Sequence, residues 1–482
     1  MTSPFSSRPR LQRFLMTMAR ISLGCLPLTI GFICAAQTEI KARKAEQFVG
    51  SMGVNVHLES PYLPYNSSKY PKIDLELESL GMHHVRDEIN NTGDSFVKQL
   101  NYLGMLGYSV CGVIEGGNDY PQVGTNLDPG VVGPMIGNLH TLEAVEGPNE
   151  PDDTPPPFVY GLDYLYYPAG AINESENLWD IVQGDPKISS LPVLAMSEGS
   201  SGDFRTLAAF TNHAPVNYAN FGNMHAYQGG QVGDSGLTNL YIPDVLAWVG
   251  NKKPLWTTEM GYHNYTKYLS DGEQQGVSER ASAIYLPIAF LSGFNANVVQ
   301  TFSYELLDEV DDPQLTHACT QSPSGVKYCS GEGHYGLLNF DGAPKPAFRA
   351  MKSLIEILQE PKALPFDPGS LKIAFSGAPH SMRYTLLEKS NGDYYLAIWN
   401  DKSVYQIAKV SQSGAIVPGK DIDQPKVPIT INFDKPLTFT VYAPNDSTGT
   451  NPTDAYTIST TLDSIQIDLP AKVLLIKITR KK

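Results

Sequence analysis

Short β-prone apolar runs alternate with longer amphipathic runs from about residue 53 to residue 358. The pattern predicts eight strands, at 53–58, 84–87, 110–114, 142–146, 193–196, 218–225, 255–259 and 298–304. It predicts eight helices after them, at 73–80, 96–106, 131–139, within 160–182, at 204–210, 242–249, 277–291 and 347–358. Eight such units in about 300 residues are typical of an α/β fold of the (β/α)₈ TIM-barrel type. We predict that barrel for residues 45–360. A doubly wound open sheet is the alternative, but it usually has a glycine-rich turn after its first strand, and Val56-His57-Leu58-Glu59 has none.

The pattern changes to alternation with a period of two after about residue 361. Six strand-like runs follow, and Asn391-Gly392 is a typical two-residue hairpin turn. We predict that residues 361–482 form an appended all-β sandwich, to which residues before Val49 can add a strand.

The N-terminal 36 residues resemble a signal peptide in composition. Arg8, Arg10, Arg13 and Arg20 precede an apolar run that ends near Ala35-Ala36. We expect residues 1–36 to be a signal peptide. The protein would then be secreted or periplasmic, with no membrane association after signal removal. An uncleaved N-terminal anchor is the alternative. The net charge of −15 disfavours binding to nucleic acid.

The cysteines predict one disulfide and no metal centre. Cys319 and Cys329 flank a loop rich in Ser, Pro and Gly and can pair in an oxidising compartment, whereas Cys111 lies in an apolar run and is expected to be buried. The sequence has no CxxC pair and no HExxH segment, so it predicts neither a metal site nor a cofactor.

Two predicted strands end in a carboxylate. The fourth leads into Glu146-Gly147-Pro148-Asn149-Glu150, and the seventh ends in Thr257-Thr258-Glu259. In a barrel of this type the strand ends carry the catalytic residues, so Glu150 and Glu259 are expected to face each other across the barrel mouth. Two carboxyl groups so placed suit glycosidic bond cleavage. A helix N-cap is the structural alternative for Asn149-Glu150.

These residues resemble clan A of the glycoside hydrolases, retaining enzymes on (β/α)₈ barrels. In that clan an Asn-Glu pair ends strand four and a Glu ends strand seven, as Asn149-Glu150 and Glu259 do here. His225-Ala226-Tyr227 matches the motif after strand six, and Arg86 matches the arginine after strand two. The appended β-sandwich is like that of families 30, 39 and 79.

The resemblance implies a role for each matching residue. Glu150 would be the acid/base, which has to carry a proton, and Glu259 the nucleophile. Asn149 would bind the sugar 2-hydroxyl, Arg86 and Tyr227 would keep Glu259 ionised, and His225 would shape the subsite near Glu150. Many clan members place a Trp on strand eight as the floor for the sugar. Here that stretch offers Phe302 and Tyr304.

We therefore predict a secreted retaining β-glycosidase that acts on a β-linked oligo- or polysaccharide by double displacement, without metal or cofactor. One alternative is a non-catalytic carbohydrate-binding protein on a barrel scaffold. Another is a metal-dependent barrel hydrolase that uses His57, His225 and acidic residues as ligands. For Arg86, a structural ion pair with Asp87 or Glu88 is the alternative to a role in the active site. Tyrosines in the predicted rim loops, such as Tyr65, Tyr262 and Tyr265, could stack on sugars.

Overall fold

A computed structural model describes residues 37–58, 64–66, 72–89, 94–114, 141–152, 167–199, 218–233, 236–250, 252–267, 269–270, 274–310, 319–321, 327–360, 362–444 and 456–479. Residues 37–482 form one compact unit. Residues 1–36 lie outside the described residues, so the signal peptide stays a prediction.

The described strands and helices are numbered in chain order. The strands are β1 (Thr38–Lys41), β2 (Arg43–Lys44), β3 (Met52–Asn55), β4 (His84–Glu88), β5 (Ser109–Val113), β6 (Leu142–Glu146), β7 (Gly222–His225), β8 (Leu255–Met260), β9 (Gln300–Ser303), β10 (Cys319–Gln321), β11 (Lys327–Cys329), β12 (Ser370–Ser376), β13 (Met382–Glu388), β14 (Tyr394–Asn400), β15 (Tyr405–Gln406), β16 (Lys409–Val410), β17 (Ile416–Val417), β18 (Lys420–Asp421), β19 (Val427–Tyr442), β20 (Tyr456–Leu469) and β21 (Leu474–Thr479). The helices are α1 (Ala45–Val49), α2 (Ile73–Leu80), α3 (Asp94–Met105), α4 (Ala169–Gly184), α5 (Ile242–Val249, continuing a π-helical turn at Leu237–Tyr241), α6 (Glu279–Asn295) and α7 (Pro346–Leu358).

The barrel is built on seven parallel strands in the order β6-β5-β4-β3-β9-β8-β7. Its two edges are joined by the segment at Val193-Leu194, because Val193 bridges Val145 of β6 and Leu194 bridges Phe221 beside β7, both in the parallel sense. This short segment stands where the fifth strand was predicted. The (β/α)₈ barrel with an appended β region is therefore confirmed as the fold class.

Local sequence explains why these elements form. In α2, Ile73, Leu77 and Leu80 recur at helical spacing and are all buried, while the polar residues between them are more exposed. α7 begins at Pro346, a favoured first helical residue because its missing N–H would have no partner there. The helices predicted at 131–139 and 204–210 lie outside the described residues.

A small apolar cluster fills the inside of the barrel. It consists of Cys111, Ala144, Leu194, Trp256 and Phe302, which come from five different barrel segments. Cys111 is completely buried, as predicted. Side chains from successive strands thus close the barrel interior below the ends of the strands.

The C-terminal strands form an eight-stranded, largely antiparallel sheet in the order β1-β12-β19-β21-β14-β13-β2, with β20 on β19. The first half of β19 pairs with β12 and the second half with β21, so this long strand passes from one layer to the other. Apolar side chains of both layers, such as Ile373, Ile431 and Ile476, enclose a separate core. β1 adds the strand expected before Val49.

β14 is buried on both faces because its alternate residues enter different cores. Leu396 and Ile398 belong to the core between the two β layers, and Tyr395, Ala397 and Trp399 belong to the large core shared with the barrel helices. None of the described helices combines the length and the apolar character needed to cross a bilayer.

The two cysteines predicted to form a disulfide lie in the hairpin β10–β11, where Cys319 and Cys329 are directly opposite each other. Directly opposed residues in antiparallel strands have Cα atoms about 4.5–5.5 Å apart, which is within the range of a disulfide. The disulfide stays a prediction that this backbone register permits.

Candidate active site

The predicted site residues meet at the carboxyl end of the barrel strands. Asn149 and Glu150 follow β6, and Glu259 is the penultimate residue of β8. They line a cavity of about 350 Å³. The described residues that surround it are Asn55, Val56, His57, Arg86, Asp87, Glu88, Val113, Asn149, Glu150, Gly199, Tyr227, Glu259, Gln274, Tyr304, Glu332 and Tyr335.

Glu259 is buried, and each of its carboxylate oxygens accepts a hydrogen bond. Arg86 Nη1 donates to Oε1 at 2.6 Å, and the Tyr227 hydroxyl donates to Oε2 at 2.7 Å. Burial by itself opposes ionisation, but His225, Arg86 and the Tyr227 hydroxyl together lower the pKa of Glu259 below its ordinary value. Glu259 is therefore held as a carboxylate at neutral pH.

Glu150 contacts the buried imidazole of His225. His225 Nδ1 lies 2.5 Å from Glu150 Oε1 and 3.4 Å from Glu259 Oε2. One ligating atom from each of the three residues lies within 4.8 Å of the other two. Burial lowers the pKa of His225, but the charges of Glu259 and Glu150 outweigh that effect and raise it above its ordinary value. The two carboxyl groups therefore favour the protonated form of His225 more than an ordinary surrounding would.

The turn before Glu150 depends on glycine at position 147. Gly147 has a φ of +157°, and a Cβ there would lie 2.1 Å from the carbonyl oxygen of Ile114. Glu150 itself has a φ of +40°, which is uncommon for a residue with a side chain. The close approach of Gly147, which follows β6, to Ile114, which follows β5, fixes the course of the chain up to Glu150. The turn is therefore explained without a helix-capping role for Glu150.

Arg86 does not pair with Asp87 or Glu88. Its guanidinium contacts Glu146 and Glu259, and its Nη2 donates to Asn149 Oδ1 at 2.6 Å. Burial would lower the pKa of Arg86, but Glu146 and Glu259 raise it above its ordinary value. The structural alternative for Arg86 is therefore wrong.

Sequence reasoning missed the polar residues that support Arg86. Glu146 accepts from Arg86 Nε at 2.7 Å and from Asn223 Nδ2 at 2.8 Å, and Asn55 Oδ1 accepts from Arg86 Nη1 at 2.9 Å. All three are almost completely buried. The available signal was a charged or amide residue inside an otherwise apolar strand, since burial of such a group requires a partner.

Three tyrosines line the cavity. Tyr304, which follows β9, lies with its ring centroid 5.5 Å from that of Tyr335, and Tyr227 lies 5.6 Å from Tyr335. The sequence predicted Tyr227 and Tyr304 but not Tyr335 for this position. Tyr65, Tyr262 and Tyr265 are buried instead, and none is among the described residues that surround the cavity, so the expectation that they stack on sugars is wrong.

Two groups of described residues have the spacing of metal ligands. In the first, formed by Glu150, His225 and Glu259, both oxygens of Glu259 already accept from Arg86 and Tyr227. A guanidinium in contact with a carboxylate disfavours a second cation on the same group, because the two positive charges repel. The second group is formed by His57, Glu305 and Glu309, of which His57 lines the cavity.

Comparisons with known proteins find solved structures with a similar fold. No protein-family model matches the chain, and neither does any curated protein sequence. A solved family 39 glycoside hydrolase from Bacteroides cellulosilyticus is similar, with 14% identity over 90% of this chain and 82% of that chain and a TM-score of 0.53. A glucosidase from Croceicoccus marinus is similar with 12% identity over 93% of this chain and 98% of that chain and a TM-score of 0.57. The resemblance to clan A glycoside hydrolases is therefore confirmed at the level of the fold.

Proposed function

We propose that the chain is a retaining β-glycosidase in which Glu259 is the nucleophile and Glu150 the acid/base. The observation that carries the proposal is the pair of carboxyl groups at the barrel mouth, with oxygens within 4.8 Å of each other. Retaining glycosidases hold the two groups about 5–5.5 Å apart, whereas inverting enzymes need roughly 6.5–9.5 Å to admit a water molecule. Both carboxyl groups also reach one imidazole nitrogen, since His225 Nδ1 is 2.5 Å from Glu150 Oε1 and 3.4 Å from Glu259 Oε2, and this closeness supports double displacement.

The two carboxyl groups have different surroundings, as the two roles require. Glu259 receives donors on both oxygens and has a lowered pKa, which suits a nucleophile that must be ionised. Glu150 Oε1 lies 2.5 Å from His225 Nδ1, and in the acid role Glu150 passes a proton to the departing glycosidic oxygen. Once Glu150 has given its proton to the leaving group it is a carboxylate, and it can then take a proton from the water that attacks the sugar–Glu259 ester.

Asn149 and the tyrosines suit binding of the sugar. Because Arg86 Nη2 donates to Asn149 Oδ1, the amide is fixed with its Nδ2 donor directed away from the guanidinium, where it can meet the sugar 2-hydroxyl. Tyr304, on the stretch where many clan members place a Trp, and the neighbouring Tyr335 offer aromatic surface to the cavity. The substrate would be a β-linked oligo- or polysaccharide.

The glycosidase names of the two similar structures support this proposal, and the expected signal peptide adds secretion to it. We propose an exported enzyme, to be tested by N-terminal sequencing of the mature protein from culture medium or periplasm. An N-terminus at or close to residue 37 is expected, and an intact Met1 in an exported protein would contradict cleavage.

The anomeric outcome tests the mechanism. A panel of aryl β-glycosides identifies a substrate, and proton NMR from the first minutes of its hydrolysis should show the β-anomer before mutarotation. An α-anomer appearing first would mean an inverting enzyme. Absence of hydrolysis across the panel and across natural β-glycans would favour the carbohydrate-binding alternative. Activity that a chelator removes and metal restores, and that survives in Glu259→Ala, would favour the metal-dependent one.

A further inference from the structure

A second polar cluster lies next to the proposed active site. His57 follows β3, and Glu305 and Glu309 follow β9. Because β3 and β9 are paired neighbours in the barrel, residues that follow them meet at the same point of the rim. One nitrogen or oxygen of each of these three side chains lies within 4.8 Å of the other two.

Glu305 is the buried member of the cluster. It has no exposed surface, and its Oε2 accepts a hydrogen bond from the Tyr65 hydroxyl at 3.0 Å. Its Oε1 has no hydrogen-bond partner among the described residues. A buried carboxyl group with an unsatisfied oxygen is costly unless a proton or a cation compensates it.

The spacing within the cluster suits a metal ion. His57 Nε2 and Glu305 Oε2 are 3.5 Å apart, which is long for a charge-assisted hydrogen bond. Two ligands on a tetrahedral Zn²⁺, with metal–ligand bonds of about 2.0–2.2 Å, lie about 3.4 Å apart. Asp308 follows Glu305 closely, but its Oδ1 is 2.6 Å from Lys345 Nζ, so Lys345 already neutralises that carboxylate.

We propose that His57, Glu305 and Glu309 bind a divalent cation of the zinc class, with water completing the coordination. One imidazole and two carboxylates form a ligand set that such ions accept, and the ion would compensate the buried carboxylate of Glu305. His57 lines the active-site cavity, so a cation on its Nε2 fixes the ring and leaves Nδ1 to face other groups. This cation would position part of the sugar-binding wall without taking part in bond cleavage.

The proposal is tested by metal binding to the full-length chain without an affinity tag. The protein is stripped with a chelator, dialysed and titrated with Zn²⁺ alone by isothermal calorimetry. We expect one saturable site. Replacing Glu305 by Gln should weaken binding by more than about 100-fold, beyond the 10–100-fold loss that follows removal of an outer-shell partner. Glu309→Gln, which alters only a partly exposed side chain, should weaken binding in the same direction and serves if Glu305→Gln does not fold.

Two control variants locate the ion. Glu143→Gln alters another carboxylate next to an imidazole, since Glu143 Oε2 is 2.8 Å from His84 Nδ1, and it should bind Zn²⁺ as the parent does. Glu259→Ala should abolish glycoside hydrolysis but keep the Zn²⁺ site. No saturable binding, binding unchanged in both Glu305→Gln and Glu309→Gln, or binding lost in Glu259→Ala would overturn the proposal. Because the experiment measures Zn²⁺ binding and not hydrolysis, a failure of the metal-site proposal leaves the proposed glycosidase function untouched.

Discussion

The hydrogen bond from Tyr227 to Glu259 provides a quantitative test of the nucleophile. The donor lies 2.7 Å from a buried carboxylate, and hydrogen bonds to charged groups contribute about 1.5–3 kcal/mol. The contact stabilises the ionised form, so Tyr227→Phe makes Glu259 harder to ionise. With about 1.4 kcal/mol per tenfold change in an equilibrium constant, the acidic limb of kcat/KM should move to higher pH by about one to two pH units.

The assay is the pH dependence of kcat/KM for an aryl β-glycoside, measured on the parent and on two variants. Tyr262→Phe is the matched control, because that tyrosine is also buried but its hydroxyl donates to the Gln231 backbone carbonyl at 3.0 Å. The control should leave the acidic limb in place. An acidic limb of Tyr227→Phe that stays unchanged or moves to lower pH would refute the assignment of Glu259 as the group that must be ionised.

Three further predictions concern the acid/base, the turn before it and the hairpin. With a dinitrophenyl β-glycoside and azide, Glu150→Ala should give the β-glycosyl azide and Glu259→Ala the α-glycosyl azide, as seen by NMR; the same anomer from both would mean that the roles are assigned wrongly. Gly147→Ala should lower the free energy of unfolding by more than about 1 kcal/mol and reduce activity, because the added Cβ would overlap the backbone carbonyl of Ile114. Urea unfolding measures the loss of stability, and a variant as stable as the parent would contradict the close approach of Gly147 to Ile114. The Cys319–Cys329 disulfide should appear as linked peptides in a non-reduced digest of exported protein and contribute about 2–3 kcal/mol, and two free thiols there would exclude it.

The sequence by itself determined the fold class and predicted that Glu150 and Glu259 lie at the carboxyl ends of two barrel strands. Both follow from local chemistry, since alternating apolar runs specify strands and helices, and residues that end or directly follow a barrel strand lie on the rim. The helices predicted at 73–80 and 242–249 have the same bounds in the structure, because their apolar stripes and flanking breaks lie within the segments themselves. The later β strands were also predictable, although two predicted runs, at 429–433 and 437–442, join into the single strand β19.

Tertiary structure alone decided which polar groups become partners. Glu146 and Arg86 are 60 positions apart, and only their two strands' places in the barrel bring them into contact. The same holds for His57 and Glu305, which come from the first and the last barrel strands and meet because the barrel closes. Burial of Tyr65, Tyr262 and Tyr265 likewise depends on how loops fold back over the barrel, which no local pattern records. Periodicity encodes the faces of single elements, whereas a contact between distant residues depends on strand order, closure and packing.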